Sequence, residues 1–327
     1  VCSYPRSADD AEQSPSELLE HLAPHAADGP PDPGWHAATL TGSGEIAPVT
    51  DRVPPIAGEE RLTGGATTLQ NQLVDPVSAF IGGRLGVRTL DEQAHGLPPL
   101  LRGNLVHDAL YHLYLERPTR DDLAAWPDAG ERVARAVDFA FAKHEKHTDE
   151  VLRGLLALER KRVAGLLFEF LAIDVERADF AVIEVEHRRM FAAAGVLVEL
   201  RIDRVDRLAS GGLAIIDYKT GAEKKFLDAT GAPREIQLVA YACALDEPVA
   251  ALALANVDSR VVGFQGAGEG FKLADDWDER LATWSSLVVE ACQRIAAGDV
   301  SISRRQAVAE ARPLNLVTRF TELRNDW

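Results

Sequence analysis

Hydrophobic and polar positions fall into three regimes along the chain. Over residues 1–65 no period holds. SPSELLEHLAPHA, residues 14–26, predicts one short helix capped by Ser14 or Ser16 with Glu17 in its first turn. DGPPDPG at 28–34 and the later TGSGEIAPVTDRVPPIAG read as turn and linker. From Ala66 apolar residues return every three or four positions. TTLQNQLVDPVSAFIGGRLGV predicts two short helices interrupted around Pro76. RGNLVHDALYHLYLE, 102–116, predicts a helix with Leu105, Ala109, Leu110 and Leu113 on its apolar side. Two more helices are expected over 120–146 and 148–174, the second carrying Phe168 and Phe170.

At Phe180 the period changes to two. FAVIEVEHRRMF and VLVELRIDRVDRLASGGLAIIDYKTG predict three antiparallel strands at about 181–190, 196–208 and 213–219, with Ala209–Gly212 as a hairpin turn. A helix follows over Pro233–Leu245, with Pro233 in its first turn. Strands are expected at 249–256 and 260–265, and a helix at 276–297. Residues 303–327 show no period, and no repeat or low-complexity tract interrupts the order. That order predicts an α/β core with helices added at its N-terminal side. The divisions expected are an extended arm over 1–65, a domain over 66–300 (helical to 176, catalytic α/β from 177) and a tail over 301–327 that packs on the domain.

Composition narrows the classes. With 327 residues, 46% of them hydrophobic, the chain can bury a real core, and aromatics at 6% leave that core to Leu, Val, Ile and Ala. A formal charge of −16 argues against a general nucleic-acid coat protein. It leaves room for a local basic groove, and predicts weak or salt-sensitive DNA binding unless a partner adds grip. Cys2, Cys243 and Cys292 are far apart, so neither a disulfide framework nor a cysteine zinc site is expected, and a reducing cytoplasm fits. No apolar run approaches the roughly 20 residues of a membrane span. There is no signal-peptide pattern. A first residue of Val rather than Met is what a fragment of a longer chain would show.

The chemistry concentrates in IIDYKTG, 215–221. On a strand Asp217 and Lys219 share one face, and Ile216 and Tyr218 the other. A carboxylate can hold a divalent metal, and the lysine can orient a water or offset charge on a phosphate. A lone DxK more often marks a solvated ion pair at a strand end, so context decides. In RIDRVDRL, 201–208, Asp203 returns alongside Asp217 across the hairpin, giving two carboxylates of the kind magnesium or manganese prefers. The same run also reads as a cross-strand ion ladder, and Arg204 and Asp206, facing away from Asp203 on a regular strand, take a supporting role. In EIQLVAYACAL, Gln237 and Tyr241 are four apart and share a helix face, as boundary residues or as phosphate contacts. His107, mid-helix with Gly103 and Leu110 on its side, is either a structural histidine or a third metal ligand. Glu184 and Glu186 share a strand face, and Glu186 is the one expected to reach the site.

Taken in order, QNQLVDPVSAFIGGRLGV, LLRGNLVHDALYHLY, VELRIDRVDRL, IIDYKTG and EIQLVAYA resemble the RecB-like nuclease domains of the PD-(D/E)XK superfamily over roughly residues 66–300. The N-terminal SYPRS and SPSELL pieces look like the join to a degenerate helicase half, similar to the C-terminal region of AddB-like helicase–nuclease repair proteins. The resemblance implies a mixed central sheet flanked by helices. It implies a magnesium- or manganese-dependent DNA nuclease, an exonuclease on single strands or DNA ends in repair or recombination. His107, Asp203 and Asp217 would hold the metal, Lys219 would act on the water, and Gln237 and Tyr241 would contact phosphate and shape the site. DNA is the expected partner, with a helicase subunit or an upstream helicase-like region. The alternative is a catalytically weak DNA-binding or scaffold subunit of such a complex.

Two departures stand out. Many AddB-like relatives hold an iron–sulfur cluster, but Val74 and Asp75 stand where the first cysteine region lies, and no cysteine occurs after Ser303. No cluster is expected, and apolar packing of 311–320 is expected to pin the ends. Glu199 stands where relatives often carry Gly, so it either crowds DNA or adds a carboxylate. There is no GxxxxGK[ST] loop, and no ATP binding is expected.

Overall fold

In the computed structural model the described residues are 53–88, 96–144, 150–273 and 275–301, with the backbone of residues 7, 8, 11 and 12. The chain divides into two units, Val1–Thr50 and Asp51–Trp327. In the first, Ser7–Ala8 pairs antiparallel with Ala11–Glu12. The helix expected at 14–26 and the tail from Ser303, with the packing expected of 311–320, lie outside the described residues.

The second unit is built on a six-stranded mixed sheet. Its strands are β1 (Glu60–Leu62), β2 (Phe180–Ala193), β3 (Val196–Leu208), β4 (Leu213–Lys219), β5 (Val249–Asp258) and β6 (Val261–Gly268). β3 is the hub. One edge pairs antiparallel with β2 along its whole length. The other edge pairs parallel with β1 at residues 196–198 and antiparallel with β4 at 204–207. β4 continues parallel to β5, and β5 antiparallel to β6. Ala194 and Gly195, both at positive φ, close the β2–β3 hairpin in two residues, the geometry whose twist suits a tight hairpin.

Helices cover both faces. α1 (Ala66–Val74), α7 (Gln237–Cys243) and α8 (Trp277–Ala296) pack with Val198, Leu200, Ile202, Leu213 and Ile215 on one side. α3 (Pro99–Tyr114), α5 (Ala129–Ala142) and α6 (Glu150–Asp174) pack with Ile216, Tyr218, Ala253 and Ala255 on the other. A short helix α2 (Pro76–Ala79), capped by Asp75, runs into a π-helical turn at Phe80–Arg84, so the break expected around Pro76 is present. This is the α/β fold with a mixed sheet flanked by helices that the motif order implied. Among the described residues no helix is long and apolar enough to cross a membrane.

Two helices depart from the periodicity. The stretch expected as one helix over 120–146 is two, α4 (Arg120–Ala125) and α5. Pro127 forces the preceding Trp126 out of the helical region, to φ −61° and ψ 110°. The helix expected from Pro233 begins at Gln237. Pro233 instead bridges Leu227, and Arg234 N–H donates to the Phe226 carbonyl, so a local loop holds these residues until Ile236.

Candidate active site

The sheet carries a break in its alternation at the point where chemistry was expected. On β3, Ile202 and Val205 both face the α1/α7/α8 core, whereas Arg204 lies fully buried toward Asp174 and Tyr114 of the opposite layer. The alternation therefore resets between residues 202 and 205, with Asp203 at the reset. Across the ladder, β2 bulges between Val182 and Glu184, and Glu186 takes a positive φ of 50°, unusual for a residue with a Cβ. The β3–β4 ladder ends at Arg204–Ile216, and the Asp203 carboxylate then accepts from Tyr218 N–H at 2.8 Å, standing in for the lost strand partner.

The result is a gathering of ligating side chains. Donor atoms of His107, Glu186 and Asp203 all lie within 4.8 Å of one another. His107 Nδ1 is 3.6 Å from Asp203 Oδ2, and its ring meets Tyr218 edge-on at 5.9 Å. Gly103 brings this helix close to the end of β4. A Cβ there would meet Thr220 Oγ1 at 2.9 Å, and four residues on, His107 occupies the same helix face. Burial pulls the His107 pKa down, but Asp203, Asp217 and Glu186 together raise it above its ordinary value.

Asp217 and Lys219 share a face of β4, as alternation requires. Asp217 is buried and accepts from Gln237 Nε2 at 2.8 Å through Oδ1. Its Oδ2 is ion-paired with Lys219 Nζ at 2.9 Å. Burial and the Asp203 charge push the Asp217 carboxyl up to about 7, against the pull of Lys219. Lys219 donates to Gln237 Oε1 at 2.7 Å and approaches Glu235 at 3.6 Å. Burial works against its charge, but Asp217 and Glu235 hold its pKa above the ordinary value. Gln237 also donates to Tyr241 Oη at 2.5 Å, so this one amide links the aspartate, the lysine and the tyrosine.

Each sequence-predicted residue thus falls in one neighbourhood. His107, Glu186 and Asp203 bring their donor atoms together, while Asp217 turns toward Lys219 and Gln237. One imidazole and the carboxylate oxygens of Glu186 and Asp203, close together, fit a hard divalent cation.

Gln70 and Asn256, which support this geometry, carried no sequence signal. Gln70 of α1 accepts from Ile236 N–H at 2.8 Å, satisfying a donor at the start of α7 and fixing where Gln237 begins. Asn256, buried on β5, holds both backbone groups of Lys224 and so pins the loop that leaves β4. Arg201 pairs with Glu186. Glu199 is ion-paired with Arg61 and, at 2.7 Å, with Arg188, so its carboxylate is engaged on the surface.

Residues 68–307 match the PD-(D/E)XK nuclease superfamily, and the chain belongs to it. Among solved structures it is similar to a protein from Eubacterium rectale provisionally named an exonuclease, at 10% identity over 77% of this chain and 91% of that one, with a TM-score of 0.37. It is also similar to the protein SSO0001, at 12% identity over 79% of this chain and 92% of that one, with a TM-score of 0.25.

Proposed function

We propose that the chain is a metal-dependent DNA nuclease, acting as an exonuclease on single strands or DNA ends in repair or recombination. The observation that carries this is the meeting of His107, Glu186 and Asp203 with the Asp217–Lys219–Gln237 network in a chain of nuclease ancestry. His107, Asp203 and Asp217 would hold a magnesium or manganese ion, with Glu186 beside them, and the ion when bound supplies a polarised phosphate and a more acidic water. Lys219 positions its ammonium to orient that water and to offset the charge that grows on phosphorus-bound oxygen. Gln237 bridges Lys219 and Asp217, accepting from the one and donating to the other, and Tyr241 fixes Gln237 by accepting from its amide. The water oxygen bonds to phosphorus as the bond to the leaving nucleoside oxygen breaks, leaving a phosphate on one fragment and a hydroxyl on the other.

A catalytically weak scaffold would suit the charge of −16. Lys219, Lys224, Arg201 and Lys143 around the site favour the nuclease, because a wholly acidic mouth would repel a phosphate backbone. A helicase subunit or helicase-like region would supply unwinding and grip, and a cytoplasmic location fits the cysteine usage.

Incubation of end-labelled single- and double-stranded DNA with magnesium or manganese tests the reading. Lys219→Ala is expected to lower cleavage by about 10²–10³-fold while sparing metal binding. Cleavage by Lys219→Ala at the parent rate would remove the lysine from the mechanism. No cleavage by a folded, metal-binding parent would favour the scaffold.

A further inference from the structure

A groove of about 580 Å³ opens beside the candidate metal site, lined by Asp108, Tyr111, Phe139, Lys143, Glu186 and Arg201 among others. It shares Glu186 with the ligating group. Tyr111 lies one helical turn beyond His107 on the same face of α3. The groove and the site are therefore continuous.

Its walls have an unusual make-up for this chain. Aromatics are only 6% of the sequence, yet Tyr111 and Phe139 both line the groove, and His112 packs on the Phe139 ring from outside it. The rings of Tyr111 and Phe139 are 6.1 Å apart, those of His112 and Phe139 4.8 Å. Phe139 stays 48% exposed. A large apolar ring that α5 leaves in solvent, beside polar walls, is an available stacking face. Lys143 and Arg201, each more than half exposed, pair with Asp108 and Glu186, so the wall is electrically balanced. Each cation still has N–H donors beyond its ion pair, since an ammonium carries three and a guanidinium five.

We propose that this groove is a nucleotide subsite, in which an unpaired base of a single DNA strand stacks on Phe139 and Tyr111 while Lys143 and Arg201 contact its phosphates. The inference rests on the nuclease reading for the nature of the strand. The volume is within the roughly 300–1,000 Å³ of pockets that take one small ligand, and a duplex keeps its base faces stacked inside. Stacking is tolerant of sequence because every base has a π-face. The occupant this groove fits is therefore a strand end or single strand of any sequence.

The test compares two short fluorescent strands of equal length, an oligothymidylate and its abasic counterpart, binding to the full chain in calcium at low salt. The parent is expected to prefer the base-bearing strand. Phe139→Ala, at an exposed position where folding is not at stake, is expected to weaken that strand about 10-fold and leave the abasic strand unchanged. Tyr111→Ala should act in the same direction, and Phe139→Trp should keep parent affinity by preserving the ring. Equal affinity of Phe139→Ala and parent for oligothymidylate, or an equal loss on both strands, would overturn the subsite. The two readings fail separately. Metal-dependent cleavage with no preference for bases would leave the nuclease and remove the subsite. Base-dependent binding that Phe139→Ala abolishes, in a protein that cuts nothing, would keep the subsite and remove the nuclease.

Discussion

Two charged clusters meet on β3 at adjacent residues, and they are built on opposite terms. Arg204 donates to Asp174 at 2.7 Å and to both oxygens of Asp206 at 2.6 and 2.9 Å. Arg177 bridges the same two aspartates at 2.9 and 2.8 Å, and Tyr114 adds a hydrogen bond to Asp174 at 2.7 Å. Arg204 sits over the rings of Tyr114 and Phe180. Two arginines balance two aspartates there, and although burial alone would raise Asp174, Arg204 and Arg177 hold its carboxyl below the ordinary range. One residue earlier, Asp203 enters a group with Glu186, Asp217 and His107 in which Arg201 and Lys219 pair with Glu186 and Asp217, Asp203 meets the His107 imidazole, and Asp217 is pushed up instead. Carboxylates locked between buried arginines serve structure, whereas carboxylates that meet an imidazole at the mouth of an open groove are suited to a cation from outside.

The comparison can be broken most forcefully through Arg204. Arg204→Met leaves Asp174 and Asp206 buried without their main partner and is expected to cost about 3–5 kcal/mol in urea unfolding. Asp203→Asn should cost the metal-free protein little or nothing, because it removes a like charge from the group and keeps an oxygen for Tyr218 N–H. Equal losses from both would erase the distinction. A smaller effect is expected at Gln237, which orients rather than ligates. Gln237→Ala should lower cleavage about 10–100-fold with the fold retained, read from kinetics beside circular dichroism.

The pH dependence sharpens the contrast. Asp217 is raised from 3.8 to about 7, so its contribution to stability is complete below pH 3.8 and is lost as pH rises through about 7. The metal-free protein should therefore melt at progressively lower temperature from about pH 4 to about 7, and Asp217→Asn should flatten that slope. An unchanged slope in Asp217→Asn would mean that another group carries it. The smallest effect belongs to the exposed ion pairs of Glu199, where Glu199→Gln should shift stability by less than about 1 kcal/mol.

Strand β4 was legible because its logic is local. On β4, Leu213 and Ile215 join one core and Ile216 and Tyr218 the other, so Asp217 and Lys219 had to share a face, and the Ala209–Gly212 turn had to return them toward β3. Gln237 and Tyr241 follow from helical spacing in the same way. What the pattern hid is irregular or distant. Alternation places Asp203 opposite Arg204, yet it does not reveal the reset at 202–205, the bulge at Val182/Glu184 or the positive φ of Glu186. Those are the features that turn Glu186 and Asp203 toward His107, and they arise from pairing between strands rather than from either strand alone. The paired aspartates of Arg204 were half visible, since Asp174 lies 30 residues away on α6. Gln70 needed the tertiary contact between α1 and α7 to show its purpose.

The most direct measurement is calorimetric titration of manganese into the parent, Asp203→Asn and His107→Ala proteins. Saturable binding by the parent that is lost or strongly weakened in both variants is the predicted result. Undiminished binding in the variants, or no saturable binding by a folded parent, would contradict the assignment of this cluster to a cation.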